Sequence, residues 1–177
     1  MIVDASVMTV AHHPGHKKGI EGCLHTEIKV PTNHDGEYDV TVLVHTPKSI
    51  SKEACSPAII YAHGGGVAAC SALMFKPYLS NVANECGVVV YNVDYRLAPE
   101  TKCPNNMLDF YSVVKYISSH AKSLHIDPTK IAIAGESGMI STALMQERPS
   151  AMRLLITRFC KSSICQSKSL GYKSSGG

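Results

Sequence analysis

Three short apolar runs limit what this chain can become: AIIYAHGGG at 58–66, GVVVYNVDY at 87–95 and IAIAGES at 131–137. Each begins apolar on both faces. A strand with one wet face alternates apolar and polar residues, so runs of this kind belong in the middle of a parallel sheet covered by helices. The stretches between them are helical in pattern. Residues 74–86 form one such stretch. Pro104 suits a first helical turn, and Met107, Tyr111, Val114, Ile117 and Ser118 follow at helical spacing to about residue 122. IDPTK at 126–130 reads as a turn. Ahead of all this, HTEIKVP (25–31) and YDVTVLVHTP (38–47) alternate around NHDGE, the pattern of an edge hairpin with one buried face. The expected class is α/β: a leading antiparallel hairpin, then a mostly parallel sheet flanked by helices with right-handed crossovers.

With 177 residues, 45% of them hydrophobic, the chain can bury one domain core. Its apolar runs fall far short of the roughly 20 residues a membrane-spanning helix needs. The first 24 residues show no basic region followed by an apolar run, so a cytosolic rather than secreted protein is expected. Seven cysteines, with no CxxC pair, read as reduced thiols. His12, His13 and His16 are close in sequence but have no carboxylate or thiolate placed beside them, so neither a metal nor another cofactor is expected. Cys70 reads as a small core residue, and Phe75, Tyr78, Tyr111 and Tyr116 as packing residues. The charge is unevenly placed. Residues 1–138 hold 11 Lys and Arg against 13 Asp and Glu (−2), whereas residues 139–177 hold 6 against 1 (+5). Three parts are therefore expected: an N-terminal segment 1–24, a body 25–138, and a basic tail 139–177. Six cations spread over that tail without interleaved aromatics do not make a nucleic-acid site. Met152, Leu155, Ile156 and Phe159 recur at helical spacing within it.

The chemistry gathers at the ends of the apolar runs. Ser137 lies in Gly135-Glu136-Ser137-Gly138, after a strand, where a sharp turn would lift its hydroxyl clear of the sheet and aim the following N–H groups at a developing oxyanion. Alone, such a serine reads equally as a helix N-cap. His63-Gly64-Gly65-Gly66 follows an earlier central strand, and glycines there let the backbone approach a ligand and present N–H donors. Alone, it reads as a flexible turn. Together and in this order the two are far more specific. A third element, Asp94-Tyr95-Arg96-Leu97-Ala98-Pro99-Glu100, follows the strand between them. Arg96 and Glu100 read as a framework bracing the site.

HGGG, DYRLAPE and GESG in this order resemble the hormone-sensitive-lipase-like branch of the α/β-hydrolases, which includes arylacetamide-deacetylase-like esterases. The resemblance covers about residues 25–138. It implies hydrolysis of small carboxylic esters by a serine nucleophile without a cofactor. Ser137 would be the nucleophile, and the N–H groups of Gly64, Gly65 and Gly138 the oxyanion hole. His63, Gly66, Tyr95, Arg96, Glu100, Gly135 and Glu136 would frame the site, with His63 structural rather than the general base. The branch also resembles non-hydrolytic relatives that hold a small ligand, as plant hormone receptors do.

The chain departs from that pattern after the serine. In α/β-hydrolases the order is Ser, then Asp or Glu, then His, yet all nine histidines here (12, 13, 16, 25, 34, 45, 63, 120, 125) precede Ser137, and Glu147 is the one later acid. Met139 stands where GxSxG has glycine. These features lead to the expectation of a family sequence that stops near Gly138, an incomplete sheet, and a chain with little or no turnover. Its alternatives are a non-catalytic ligand-binding module or an unstable product. The exposed edge of the strand at 131–134 predicts self-association. Size-exclusion chromatography should show aggregates or oligomers, and a monodisperse, cooperatively melting monomer would contradict this.

Overall fold

The computed structural model describes residues 16–51, 54–136 and 153–154. In chain order the elements are α1 (His16–Gly22), β1 (Cys23–Thr32), β2 (Tyr38–Pro47), β3 (Ser56–Ala62), α2 (Ala72–Cys86), β4 (Val89–Asp94), α3 (Asn105–Ser119), β5 (Ile126–Gly135) and β6 (Arg153–Leu154). The six strands form one open sheet in the order β1-β2-β4-β3-β5-β6. β1 and β2 pair antiparallel, β2 joins β4 antiparallel, and β4, β3, β5 and β6 run parallel. The α/β class and the incomplete, helix-flanked sheet expected from the three apolar runs are both present.

The double-sided runs pack as their composition requires. Ile59, Tyr61, Val90 and Ala134 face α2, where Tyr78, Leu79, Val82 and Ala83 meet them. Ala58, Ile60, Val89, Tyr91, Val93, Ile131 and Ile133 face the other way, toward Phe110, Val113, Val114 and Ile117 of α3. Gly87, with φ 61°, closes α2 in the left-handed region, and Val88 N–H reaches back to the Ala83 carbonyl.

Several local expectations change. β2 is interior rather than an edge strand, because β4 pairs along its free side. The buried face of α3 is Asn106, Asp109, Phe110, Val113, Val114 and Ile117, rotated from the predicted stripe, with Met107, Tyr111 and Ser118 only half-buried. Two polar residues that solvent normally claims lie on the inner face instead. IDPTK does turn, through Asp127 Oδ1 accepting from the N–H and hydroxyl of Thr129, but it does so inside β5. Pairing jumps from Ser56↔Ile126 to Ala58↔Ile131, and the surplus residues bulge from the ladder. The N-terminal segment supplies α1, packed on α2 with Asn84 Nδ2 donating to the Gly19 carbonyl at 2.7 Å. Within the basic tail, Arg153 and Leu154 are strand rather than helix, pairing with Ala132 and Ile133 and covering only that part of the β5 edge. The other residues of the predicted 152–159 stripe lie outside the described residues.

β1 and β2 also bring together a half-buried and a buried histidine, a pair not anticipated from the sequence. His25 and His45 are cross-strand partners whose Nδ1 atoms lie 3.1 Å apart. His25 Nε2 lies 3.1 Å from the Ile20 carbonyl, so it carries the ring proton, and His45 Nδ1–H donates to His25 Nδ1. His45 is fully buried, and its Nε2 has no partner. Burial first, then the neighbouring His25 and Lys76, push its pKa down to about 3. The folded state keeps His45 neutral, whereas the unfolded chain takes up a proton near the ordinary value of about 6.5, so stability falls as pH drops from about 6.5 toward 3. Between pH 7 and 5 the loss from this group should be about 2 kcal/mol. Urea unfolding at both pH values should show that loss shrinking in His45→Leu. An unchanged pH dependence would reject the assignment.

Candidate active site

The carboxyl ends of the central strands converge. β3 leads through α2 to β4 on one side, whereas β5 lies on the other side of β3, so a crevice is expected between the ends of β3 and β5. Ala62 and Gly135 are in register there, and Glu136 N–H donates to the Ala62 carbonyl at 3.1 Å. A Cβ on Gly135 would stand 2.7 Å from that carbonyl oxygen and 3.2 Å from the Ala62 Cβ, so only glycine lets the strands close. His63-Gly64-Gly65-Gly66 and Glu136 thus leave the sheet side by side. Ser137 and Gly138 lie outside the described residues.

The glycine loop is wound tightly. Gly65 has φ 121° and Gly66 φ 62°, both in the region that favours glycine, and Val67 and Cys70 also have positive φ. A Cβ on Gly65 would collide with the Ala69 carbonyl, whose neighbours Ala68 and Ala69 donate to the Gly65 oxygen at 3.2 and 3.1 Å. The N–H groups of Gly64, Gly65 and Gly66 make no hydrogen bond with any other described residue. Donors left free in a turn at the end of a parallel strand are what a bound anion or oxyanion uses.

His63 fixes the start of this loop. It is fully buried, stacked on Tyr95 at 4.3 Å between ring centroids and on Phe75 at 5.8 Å. Its Nδ1 lies 2.8 Å from the Gly64 carbonyl, so Nδ1 holds the proton and Nε2 carries a lone pair with no partner. Burial lowers its pKa, against the opposing pull of the Gly64 carbonyl, Asp94 and Glu136. A neutral, enclosed imidazole of fixed tautomer is a structural element. Tyr95 Oη donates to the His63 carbonyl at 2.6 Å. Nearby, Tyr61 and Tyr78 are buried on the α2 face, their hydroxyls made less acidic first by burial and then by the Glu136 carboxylate.

Arg96 and Glu100, paired in the sequence reading, part company. Arg96 lies over the Tyr38 ring at 4.3 Å and grips Asp109, Nε to Oδ2 at 2.9 Å and Nη2 to Oδ1 at 2.8 Å. That carboxylate, first through hydrogen bonding, holds the guanidinium pKa above its ordinary value. Glu100 is exposed and forms no ion pair among the described residues. Asp109 is the residue the sequence reading missed. Its one signal was a carboxylate four positions before Val113 on the apolar face of α3. His34 Nε2 is 2.9 Å from Asp109 Oδ1 and 3.2 Å from the Asn105 carbonyl. This histidine–carboxylate pair links the β1–β2 turn to α3, and β2 is three strand spacings or roughly 14 Å from β5.

Cys70, half-buried, forms part of the same loop. No group of three or more metal-ligating side chains occurs among the described residues, and no described helix is long and apolar enough to cross a membrane.

A mostly parallel sheet flanked by helices, with a glycine loop leaving one central strand beside the carboxyl end of the next, is the frame of an α/β-hydrolase fold. Residues 59–157 match the α/β hydrolase fold family, and the chain belongs to it. That match continues past Gly138 into the basic segment. The chain is 33% identical to carboxylesterase NlhH of Mycobacterium tuberculosis over 115 residues, 64% of this chain and 35% of that protein. It is 36% identical to human arylacetamide deacetylase-like 2 over 115 residues, 62% of this chain and 28% of that protein. The solved structure of a bacterial heroin esterase superposes with a TM-score of 0.65 at 34% identity, covering 78% of this chain and 41% of that one. The chain therefore spans about a third of the length of these curated relatives.

The close approach at the strand ends is directly testable. Gly135→Ala should lower unfolding free energy by about 1–3 kcal/mol, since its Cβ meets backbone. Gly66→Ala, in open space but at φ 62°, should cost only about 1–2 kcal/mol. Urea unfolding of both variants checks the order.

Proposed function

We propose that this chain carries the nucleophile and oxyanion donors of a serine carboxylesterase site acting on small esters. The observation that carries the proposal is the register of Ala62 with Gly135, tied by Glu136 N–H to the Ala62 carbonyl. Ser137 follows Glu136 in the sequence, and Glu136 leaves the sheet beside a loop whose glycine N–H groups bond no other described residue. In the reaction, Ser137 Oγ attacks the ester carbonyl carbon and the carbonyl electron pair moves onto oxygen. That oxyanion is met by the N–H groups of Gly64, Gly65 and Gly138. The intermediate collapses, the alcohol leaves with a proton, and water cleaves the acyl-serine to acid and free serine. A base must take the serine proton, and none of the nine histidines follows Ser137 in this sequence. Among the described residues His63 is the histidine nearest the strand ends, and it is buried with its Nδ1 proton committed to the Gly64 carbonyl. A reducing, cytosolic setting suits the five described cysteines, all of them free thiols.

That enclosed His63 favours a second reading, a site that holds a small ester or similar ligand without cleaving it. Incubation with a fluorophosphonate probe separates the two. Covalent labelling mapped to Ser137, and lost in Ser137→Ala, is expected for the nucleophile. No labelling together with saturable ester binding would transfer the assignment to the binding module.

A further inference from the structure

We propose that Asp109 is a positioning residue for the glycine loop, acting through the Asp94–Ala98 segment; its catalytic meaning rests on the oxyanion reading above. That segment ties down the glycine loop at three points. Tyr95 Oη donates to the His63 carbonyl at 2.6 Å, at the loop's start. Ala98 N–H donates to the Val67 carbonyl at 2.8 Å, just past the last glycine. Asp94 Oδ1 accepts from Ala72 N–H at 2.8 Å, where α2 begins. Gly64, Gly65 and Gly66, whose amides bond no other described residue, lie between the first two ties. The loop's internal bonds run to the Gly64 and Gly65 carbonyls and leave the glycine N–H groups without a described partner, so the external ties add to what sets the direction of those groups.

The segment is in turn held from below. Arg96 sits between the Tyr95 and Ala98 ties, and its backbone N–H donates to Asp109 Oδ2 at 3.1 Å, alongside the two guanidinium bonds to the same carboxylate. Asp109 thus grips the main chain as well as a side chain. Its fully buried carboxylate is matched by charge on Arg96 and by the N–H of His34. A neutral isostere would keep the volume while weakening all of these bonds. The route is short: α3 carries Asp109, Asp109 fixes Arg96, and the residues on either side of Arg96 fix the glycine loop at both ends.

Two variants of the full 177-residue chain test this. Tyr95→Phe removes one tie and keeps the ring stack, and Asp109→Asn weakens the anchor. Hydrogen exchange is read at the amides of Ala68, Ala69 and Ala98, with β4 as internal reference. Both variants should exchange at the loop amides roughly threefold to tenfold faster while β4 is unchanged. Unchanged loop exchange in Tyr95→Phe, or equal acceleration of loop and β4 in both variants, would overturn the proposal. Where the wild-type chain is labelled by fluorophosphonate, Tyr95→Phe should label several-fold more slowly under conditions in which its β4 exchange matches wild type, and wild-type speed would remove the catalytic meaning of the anchor. A wild-type chain that is never labelled rejects the esterase reading instead, and the exchange data still decide the anchor.

Discussion

The bond from Glu136 N–H to the Ala62 carbonyl joins two strands at the point where both leave the sheet, and the rest of the site depends on it. Parallel neighbours deliver their connections to the same end of a sheet, so β3 and β5 were bound to emerge together. How near they emerge depends on side-chain bulk. Gly135 lacks the Cβ that would touch the Ala62 carbonyl, so the two backbones meet without an intervening side chain. Behind this contact, Ile59, Tyr61 and Ala134 on one face and Ile60 and Ile133 on the other keep the pair in a core without water. The rigidity of the strand ends is therefore a property of the core.

Toward the carboxyl end of the sheet the protein buries several polar side chains. Asp109, His63, Asn92 and Asn106 are all enclosed, and a buried polar group is costly unless it is bonded. Each makes at least one hydrogen bond, Asn106 Oδ1 accepting from Met107 N–H at 2.9 Å, although His63 Nε2 and Asn92 Oδ1 have no partner. Asn92 Nδ2 donates to the Ala72 carbonyl at 2.7 Å at the start of α2, while Asp109 collects donors from Arg96 and His34. Breaking a buried pair from one side leaves its partner uncompensated, so these bonds lock a geometry more than they raise net stability. Fixing the turns at the carboxyl end of the sheet is a use for which such a lock is suited.

The central strands were legible because a strand covered on both sides must be apolar on both sides, and nothing else in the chain looks like 58–62, 88–91 or 131–134. The hairpin was legible by alternation, and the glycine loop by composition. What could not be read follows from interactions between distant residues. Asp109 and Asn106 rotate the buried face of α3 because Arg96 and His34, far away in sequence, supply the partners that make a buried acid tolerable. Glu100 looked equal to Arg96 because sequence shows charge and not reach. The five-residue step inside β5 looked like a loop because a bulge and a loop use the same turn residues. Likewise, the His25–His45 pair exists only through strand register.

Register and burial also decide what the histidines can do. His63 stands nearest the strand ends, but its proton is committed to the Gly64 carbonyl and its ring is closed between Tyr95 and Phe75. His34 is bound to Asp109 near the far edge of the sheet, and His25 and His45 face one another beneath α1 and α2. His120 contacts the Tyr116 carbonyl and stacks on its ring at the end of α3. His125 precedes β5, at the amino end of the strand whose carboxyl end carries the site, and its carbonyl is taken by Ser56 N–H. Among the described histidine side chains, each has a place that is either enclosed or remote from the end of β5. A proton acceptor for the proposed nucleophile is thus a separate requirement from the geometry of the strand ends. The first asks for a titratable group that can approach and move a proton; the second asks for a backbone held still by a carboxylate on α3 and a missing Cβ on β5.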